Sequence, residues 1–157
     1  MPTVVFMIGA GGSGKSTALA KSEWAHLPVV NSDTFIENHP DWVGNGGTLQ
    51  PHQLYEWASK CMEAEWERRL AEHEDFVLDG TGKTLTTMLS RIQAAKAIGF
   101  KVVIFWVYAP LETCLKRNAS RPRRVPDEVI KDAWKKVKSN FGSYRRAADQ
   151  VKVLINI

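Results

Sequence analysis

Long hydrophobic runs are absent from this sequence of 157 residues. No apolar stretch approaches the ~20 residues that a helix needs to cross a bilayer. The N-terminal residues also lack the basic region and the cleavage site of a secretory signal peptide. We therefore expect a cytoplasmic protein with no membrane partner.

Cysteine is scarce, and histidine clusters are missing. Cys61 and Cys114 are isolated within predicted helices, which favours reduced, packed thiols over a disulfide or a metal site. The four histidines are scattered without any ligand-like pairing. Internal repeats and linkers are absent too, so the length predicts that residues 1–157 form a single domain. No feature of the sequence points to a protein partner.

An overall acidic charge is also lacking, since the formal net charge is +4 at pH 7. The positive charge is concentrated between residues 116 and 146, where eleven lysines and arginines stand against three acidic residues. Such a segment favours an anionic partner, either nucleotide phosphates or a nucleic acid backbone. The alternative is that much of it is only the solvated face of a helix.

Strand and helix signals alternate along the whole chain. We expect strands at 3–8, 29–31, 76–79, 101–108 and 151–157. We expect helices at 15–24, from 51 to about 73, from 84 or 86 to 98, from 111, and again after Pro126. Residues 117–126 are predicted to be a loop because of their prolines. The alternation predicts a three-layer α/β/α fold with a five-stranded, mostly parallel sheet.

A glycine-rich segment between the first strand and the first helix carries most of the functional signal. Residues 9–16, GAGGSGKS, match the GxxxxGK[ST] pattern of P-loop NTPases in the expected structural context. Glycines let the backbone wrap round phosphates, and successive N–H groups with the helix N-terminus attract negative charge. Lys15 would reach the β and γ phosphates and Ser16 would ligate Mg²⁺, so we predict ATP and Mg²⁺ as cofactors, with GTP as the alternative nucleotide. The predicted nucleotide-binding residues here are Gly9, Gly11, Gly12, Ser13, Gly14, Lys15, Ser16 and Thr17.

Two carboxylates follow the next strands of the predicted sheet. Asp33 comes just after the second strand and Asp79 ends the third. Because the carboxyl ends of parallel strands meet at one edge, both should lie near the phosphates, one as a base for an acceptor hydroxyl and one near the metal. The structural alternatives are that Asp33 caps a short following helix and that Asp79 is a turn residue beside Gly80.

Two stretches around these carboxylates resemble the zeta-toxin family of P-loop kinases. They are NSDTFIENHP at 31–40 and FVLDGTGKT at 76–84. The resemblance implies that Asp33 is the catalytic base and that Asp79 to Thr81 lines the metal and acceptor region. Lys83 stands where that family has an acceptor-binding arginine, so the charge is kept but the bidentate fork is lost.

The segment LETCLKRNASRPRRVPDEVIKDAWKKVKSNFG at 111–142 is similar to the lid and following helix of phage-type polynucleotide 5′-kinases. The similarity implies a lid at about 117–126, in which Arg121 closes over the transferred phosphate. Arg117 and Arg124 are the other predicted γ-phosphate contacts. Those kinases carry an acceptor-gripping arginine three residues after the base, where this chain has Ile36, and this weakens the case for ordinary 5′-end recognition.

This mixture of features is similar, by analogy between families, to the related phage kinases of 5-hydroxymethyluracil in DNA, which are compact and basic, and the similarity implies a phage-encoded protein in a host cytoplasm. We therefore predict a phosphotransferase that moves the γ-phosphate of ATP to a hydroxyl of a DNA or nucleotide acceptor. Its predicted catalytic residues are Lys15, Asp33 and Arg121; its acceptor-binding residues are Asp79, Thr81, Lys83 and Trp42; its metal ligands are Ser16 and Asp79. A kinase of a nucleotide sugar, and a nucleotide-dependent binding module or switch, are the alternatives.

Tryptophan is abundant, with six residues, and an exposed indole could stack on an acceptor base. Trp57 and Trp66 lie nine residues apart on one predicted helix, so they point to opposite sides of it. One of them, or Trp42 in the loop beyond Pro40, is the candidate stacking surface. Trp106 is expected to be a core residue.

Overall fold

The computed structural model describes residues 1–122 and 124–157. Five strands form one sheet in the order β2-β3-β1-β4-β5, and every pairing among the described residues is parallel. The strands are β1 (Thr3–Ile8), β2 (Val29–Val30), β3 (Phe76–Asp79), β4 (Lys101–Tyr108) and β5 (Gln150–Ile155). The predicted three-layer fold is confirmed, and its sheet is wholly rather than mostly parallel.

Six α-helices and one 3₁₀ turn connect the described strands. They are α1 (Lys15–Ala20), α2 (Ser32–Asn38), the 3₁₀ turn Val43–Asn45, α3 (Pro51–Glu72), α4 (Leu85–Ala97), α5 (Leu111–Ala119) and α6 (Asp127–Ala147). The first helix is shorter than predicted, because residues 21–27 form turns. The helix α5 continues to Ala119, so Arg117 is helical and not part of a loop.

Helices cover both faces of the sheet, because successive strand residues point to opposite sides. Val4, Phe6 and Ile8 of β1 belong to a buried cluster with side chains from α3, α4 and α6. Val5 and Met7 pack on the other face, against α1 and the turn that follows it. The central strand is β1, whose run of buried apolar residues matches this two-sided burial.

The strand register brings the loops after three strands to one edge of the sheet. Met7 lies beside Asp79 in the β1–β3 ladder, and Val30 lies beside Leu78 in the β2–β3 ladder. The loops that follow β1, β2 and β3 therefore begin side by side. Ligands of open parallel sheets bind at this edge, so the fold places the P-loop beside both carboxylates.

Tryptophan and cysteine positions agree in part with the predictions. Trp66 is 3% exposed and Trp57 is 41% exposed, so they do lie on opposite sides of α3. Trp106 was expected to be a core residue, but it is only partly buried and packs on Phe141 of α6 at the edge of the main cluster. Both cysteines are free, and burial raises the pKa of the Cys114 thiol. No helix in the described part of the chain is long and apolar enough to cross a bilayer.

Candidate nucleotide and acceptor site

The loop between β1 and α1 is wound too tightly for larger residues. Gly12 and Gly14 have φ angles of 83° and 93°, which side chains other than glycine rarely adopt. A Cβ atom on Gly12 would also collide with the backbone of Cys114 in α5. The loop thus needs glycine for backbone conformation and for close approach, as a phosphate-wrapping loop does.

Two side chains from distant parts of the chain hold this loop. Arg117 donates from Nη1 to the Gly12 carbonyl at 3.3 Å, and Asn156 donates from Nδ2 to the Ser13 carbonyl at 3.0 Å. Both bonds are accepted by backbone carbonyl oxygens of the loop. These oxygens carry partial negative charge, which would repel a bound anion if no donor faced them. Asn156 was missed by the sequence analysis, since it follows the last strand and no local pattern marks it.

Lys15 links the loop to the end of β3. Its Nζ donates to the Gly80 carbonyl at 2.8 Å and lies 3.6 Å from Oδ1 of Asp79. Both side chains are largely buried, so the ion pair is poorly screened by water. The structure therefore brings the predicted phosphate-binding lysine and one predicted carboxylate into direct contact.

Asp79 is bound on its second oxygen by a residue that the sequence analysis did not select. Asn31 donates from Nδ2 to Oδ2 of Asp79 at 2.8 Å. Oδ1 is buried and has no hydrogen-bond partner among the described residues, and the Lys15 ammonium is its ion-pair partner. Asp79 thus ends β3 with contacts to two other elements, which a simple turn residue would not require.

Asp33 lies in the first turn of α2, and it is not the residue that caps this helix. The cap is Asn31, whose Oδ1 accepts from the Asp33 N–H at 2.7 Å. The alternative interpretation of Asp33 as the N-cap is therefore wrong, because Asn31 already supplies the capping oxygen. The Asp33 carboxylate lies at the positive end of the helix dipole.

A cavity of about 530 Å³ unites these elements. Most of the predicted site residues line it: Gly11, Gly12, Ser13, Gly14, Lys15, Ser16, Thr17, Asp33, Asp79, Thr81, Lys83, Arg117 and Arg121. Its charged side chains are four cations and two carboxylates, which makes it electropositive. A surplus of positive charge in a concave site attracts polyphosphate.

Three predicted site residues are not among those that line the cavity. Gly9 donates its N–H to the Thr81 carbonyl at 3.0 Å, and a Cβ there would crowd the Val107 carbonyl, so its role is steric. Arg124 is exposed, precedes α6, and pairs with Asp127 in the first turn of that helix at 3.5 Å. Residue 123 of the predicted lid lies outside the described residues.

Trp42 is the third of these residues. Its indole packs beside a buried cluster formed by Ile36, Leu54 and Ala58, and it is not among the residues that line the cavity. The aromatic residue that does line the cavity is Tyr55 of α3, and it is 46% exposed. The sequence analysis missed Tyr55, since helical periodicity marks it only as a neighbour of the buried Leu54.

The two ends of the predicted lid segment are joined by the buried side-chain amide of Asn118. Asn118 donates from Nδ2 to the Val125 carbonyl at 2.7 Å and accepts from the Val125 N–H at 3.1 Å. Beyond Val125, residues at the start of α6 give the cavity an apolar wall, and Val129 on this wall is 43% exposed. The cavity therefore has a charged floor and an apolar side.

The donor set fits a nucleotide phosphate with a bound magnesium ion. Ser13 Oγ and Asp79 Oδ1 are buried polar atoms without hydrogen-bond partners among the described residues. The described residues contain no cluster of three or more histidine, cysteine or acidic side chains that could hold a metal alone. Proteins bind Mg²⁺ through one or two side chains together with substrate phosphates and water. Ser16 and Asp79 would supply those side chains.

The same residues fall within a known protein family. A family described as an AAA domain matches residues 4–143 of this chain. The chain belongs to this family. The matched part of the AAA-domain protein includes the P-loop, both carboxylates and the predicted lid, while Asn156 lies beyond it.

Solved structures with a similar fold include kinases and toxin–antitoxin proteins. A chain of the PezAT toxin–antitoxin system of Streptococcus pneumoniae has a TM-score of 0.75 at 15% identity, covering 99% of this chain and 69% of that one. A chain of the AvrRxo1-ORF1:-ORF2 structure with ATP has a TM-score of 0.78 at 23% identity, covering 93% and 50%. Shikimate kinase from Acinetobacter baumannii with shikimate has a TM-score of 0.56 at 17% identity, covering 96% and 83%. The fold is therefore that of P-loop kinases, and this chain spans about half the length of the AvrRxo1 chain.

Proposed function

We propose that this protein is an ATP-dependent phosphotransferase that moves the γ-phosphate to a hydroxyl group. The observation that carries this proposal is that one cavity holds a P-loop together with Asp33 and Asp79. A nucleotide-binding loop alone would serve a switch, whereas a second carboxylate beside the phosphates suits a base for an acceptor. The ATP-bound structure of similar fold and the similar shikimate kinase support the same reaction class.

Most of the charged residues of the cavity have a task in this reaction. The loop amides and Lys15 would bind the β and γ phosphates, while Ser16 and Asp79 would hold Mg²⁺, which would neutralise phosphate charge. Asp33 accepts the proton of the acceptor hydroxyl as its oxygen attacks the γ-phosphorus in line. The bond to the β–γ bridging oxygen breaks, and ADP leaves with that electron pair. Arg121 and Arg117 stabilise the charge on the transferred group.

The acceptor is proposed to be a hydroxyl on DNA or on a nucleotide. Tyr55 and Val129 expose apolar surface within the cavity, where a ring of the acceptor would be covered. The basic surface of α6 would contact a nucleic acid backbone. Favoured acceptors are the hydroxymethyl group of 5-hydroxymethyluracil in DNA and the 5′-hydroxyl of a polynucleotide. A nucleotide sugar is the second candidate, because it too joins a ring to a hydroxyl.

The test supplies γ-labelled ATP with separate pools of hydroxymethyluracil DNA, 5′-hydroxyl oligonucleotide and UDP-sugars. We expect label in one DNA pool, and a fall of about 10²–10⁴-fold in kcat for Asp33→Asn, the range measured for general bases. Asp41→Asn makes the same chemical change at an exposed carboxylate outside the cavity and should retain wild-type kcat. Label in no pool, with phosphate release that persists in Asp33→Asn, would favour the nucleotide-dependent switch.

A further inference from the structure

The carboxamide of Asn31 bonds two structural elements of the site at once. Its Oδ1 accepts from the backbone N–H of Asp33 at 2.7 Å, which caps α2. Its Nδ2 donates to Oδ2 of Asp79 at 2.8 Å. The first bond fixes the helix that carries the proposed base, and the second fixes the proposed metal ligand.

The strand register explains why one side chain can reach both groups. Val30 of β2 pairs with Leu78 of β3, so the next residues along the two strands, Asn31 and Asp79, lie side by side. The chain turns into α2 directly after Asn31, which brings the Asp33 N–H over the same amide. The contact is therefore built from neighbouring backbone positions and does not depend on a long flexible side chain.

The partner of Asn31 is held by few other groups. Asp79 is largely buried, its Oδ1 has no hydrogen bond among the described residues, and the Lys15 ammonium lies 3.6 Å away. Lys15 also binds the Gly80 carbonyl, and it must serve the phosphates when nucleotide is present. The Asn31 amide is then the protein donor that continues to orient the Asp79 carboxylate. Groups that orient a metal ligand in this way affect activity when they are removed.

We propose that Asn31 is a positioning residue, which holds the Asp33 helix and the Asp79 carboxylate in one fixed relative geometry. This inference rests on the proposed phosphotransfer function for its kinetic consequence. Asparagine is suited to the task because it combines an acceptor with a donor. Aspartate or serine at the same position supplies the capping oxygen but no amide donor for the Asp79 carboxylate.

The helix-capping role and the positioning role are separated by choosing substitutions that keep one of them. Asn31→Ser keeps a good N-cap and loses the amide donor to Asp79, while Asn31→Ala loses both. If Asn31 positions Asp79, we expect kcat to fall by about 10–100-fold in Asn31→Ser, with the KM for ATP changed less than about threefold. Measurements are made well below the unfolding temperature of every variant, so that each is fully folded. A wild-type kcat in Asn31→Ser together with a reduced stability in Asn31→Ala would reduce Asn31 to a helix cap and overturn the proposal.

A second experiment needs no acceptor and no turnover. Asn31→Asp places two carboxylates side by side and should lower the unfolding temperature, since like charges in a buried site repel. Combining it with Asp79→Asn exchanges donor and acceptor, so the hydrogen bond can form in reverse. We expect the double variant to regain the unfolding temperature lost by Asn31→Asp. Additive losses in the double variant would contradict the contact.

The two experiments also keep this inference apart from the proposed function. If the wild-type protein labels no acceptor pool, the phosphotransfer proposal fails, and the unfolding experiment still tests the link between Asn31 and Asp79. If the wild-type protein transfers phosphate and Asn31→Ser does so equally well, the positioning role fails and the phosphotransfer proposal stands.

Discussion

A substitution at Tyr144 of α6 tests how strongly this helix stabilises the loop that follows β3, residues 80–83. Its hydroxyl is fully buried and donates to the Gly82 carbonyl at 2.5 Å. Asn140, one turn earlier, donates to the Lys83 carbonyl at 3.1 Å. These bonds fix residues 80–83, which supply Gly80, Thr81 and Lys83 to the cavity. Tyr144→Phe removes the hydroxyl and keeps the ring that fills the core.

The expected loss of stability in Tyr144→Phe comes from the Gly82 carbonyl, which would remain buried without its donor. A buried acceptor without a donor costs about 1–3 kcal/mol of unfolding free energy. For a protein of this length that corresponds to a fall of about 2–12 °C in the unfolding temperature. Calorimetry on Tyr144→Phe measures it, and Tyr55→Phe makes the same change at a half-exposed ring as the control. The unfolding temperature of Tyr144→Phe should lie below that of Tyr55→Phe by most of this expected fall.

The pH dependence gives a second and independent check. Burial raises the pKa of the Tyr144 hydroxyl above its usual value of 10.0, and the hydrogen bond that Asn140 Nδ2 donates to this hydroxyl at 3.4 Å opposes the rise only in part. The folded state therefore holds the proton more tightly than the unfolded state. The resulting stability is present below pH 10 and is lost as the pH rises through the raised pKa. Tyr144→Phe cannot lose it, so the gap to the wild type should narrow above pH 10. Equal unfolding temperatures for Tyr144→Phe and Tyr55→Phe at neutral pH, or a gap that stays constant above pH 10, would refute this account.

Further predictions concern the phosphate loop and the core. Lys15→Ala should abolish phosphate transfer while circular dichroism shows an intact fold, because no core side chain changes; retained transfer would overturn the role of the loop. Trp66→Ala should cost about 3–5 kcal/mol of unfolding free energy, whereas Trp57→Ala at its exposed position should cost much less, and similar losses in urea titrations would contradict the packing. Gly12→Ala should weaken ATP binding and lower the unfolding temperature, as the added Cβ meets the Cys114 backbone, and calorimetry with and without ATP measures both.

The fold was largely predictable because its signals are local. Buried strands such as β4 appear as continuous apolar runs, and glycine and proline mark where helices stop and start. The P-loop can be recognised in the sequence because phosphate binding requires several glycines and a lysine at fixed spacing. The bounds that failed lie at the ends of elements: α1 stops at Ala20, α5 runs on through Arg117, and β5 stops at Ile155 instead of residue 157.

The site was less predictable, since several of its contacts join residues far apart in the chain. Asn31 and Asp33 are both competent helix caps, and only the folded structure distinguishes them. Asn156 reaches the loop from the opposite end of the chain. Trp42 follows α2 and Tyr55 lies in α3, and both are aromatic residues with a polar group. Trp42 packs beside an apolar cluster, whereas Tyr55 lines the cavity. No sequence pattern within one element separates these outcomes.

Ile36 connects the packing of α2 to the choice of acceptor. It stands where the resemblance to polynucleotide 5′-kinases would place an acceptor-gripping arginine, and its side chain is fully buried against Leu54 and Ala58. An arginine there would place a charge in an apolar cluster, so the position serves packing and leaves contact with an acceptor phosphate to other residues. Lys83 is the cation on the β3 side of the cavity, but its ammonium lacks the two-pronged geometry that grips a phosphate best. An acceptor recognised through a ring that carries the reacting hydroxyl therefore suits this cavity better than a 5′-hydroxyl end recognised through its neighbouring phosphate. That reasoning favours the hydroxymethyl group of a DNA base over a 5′ end among the proposed acceptors.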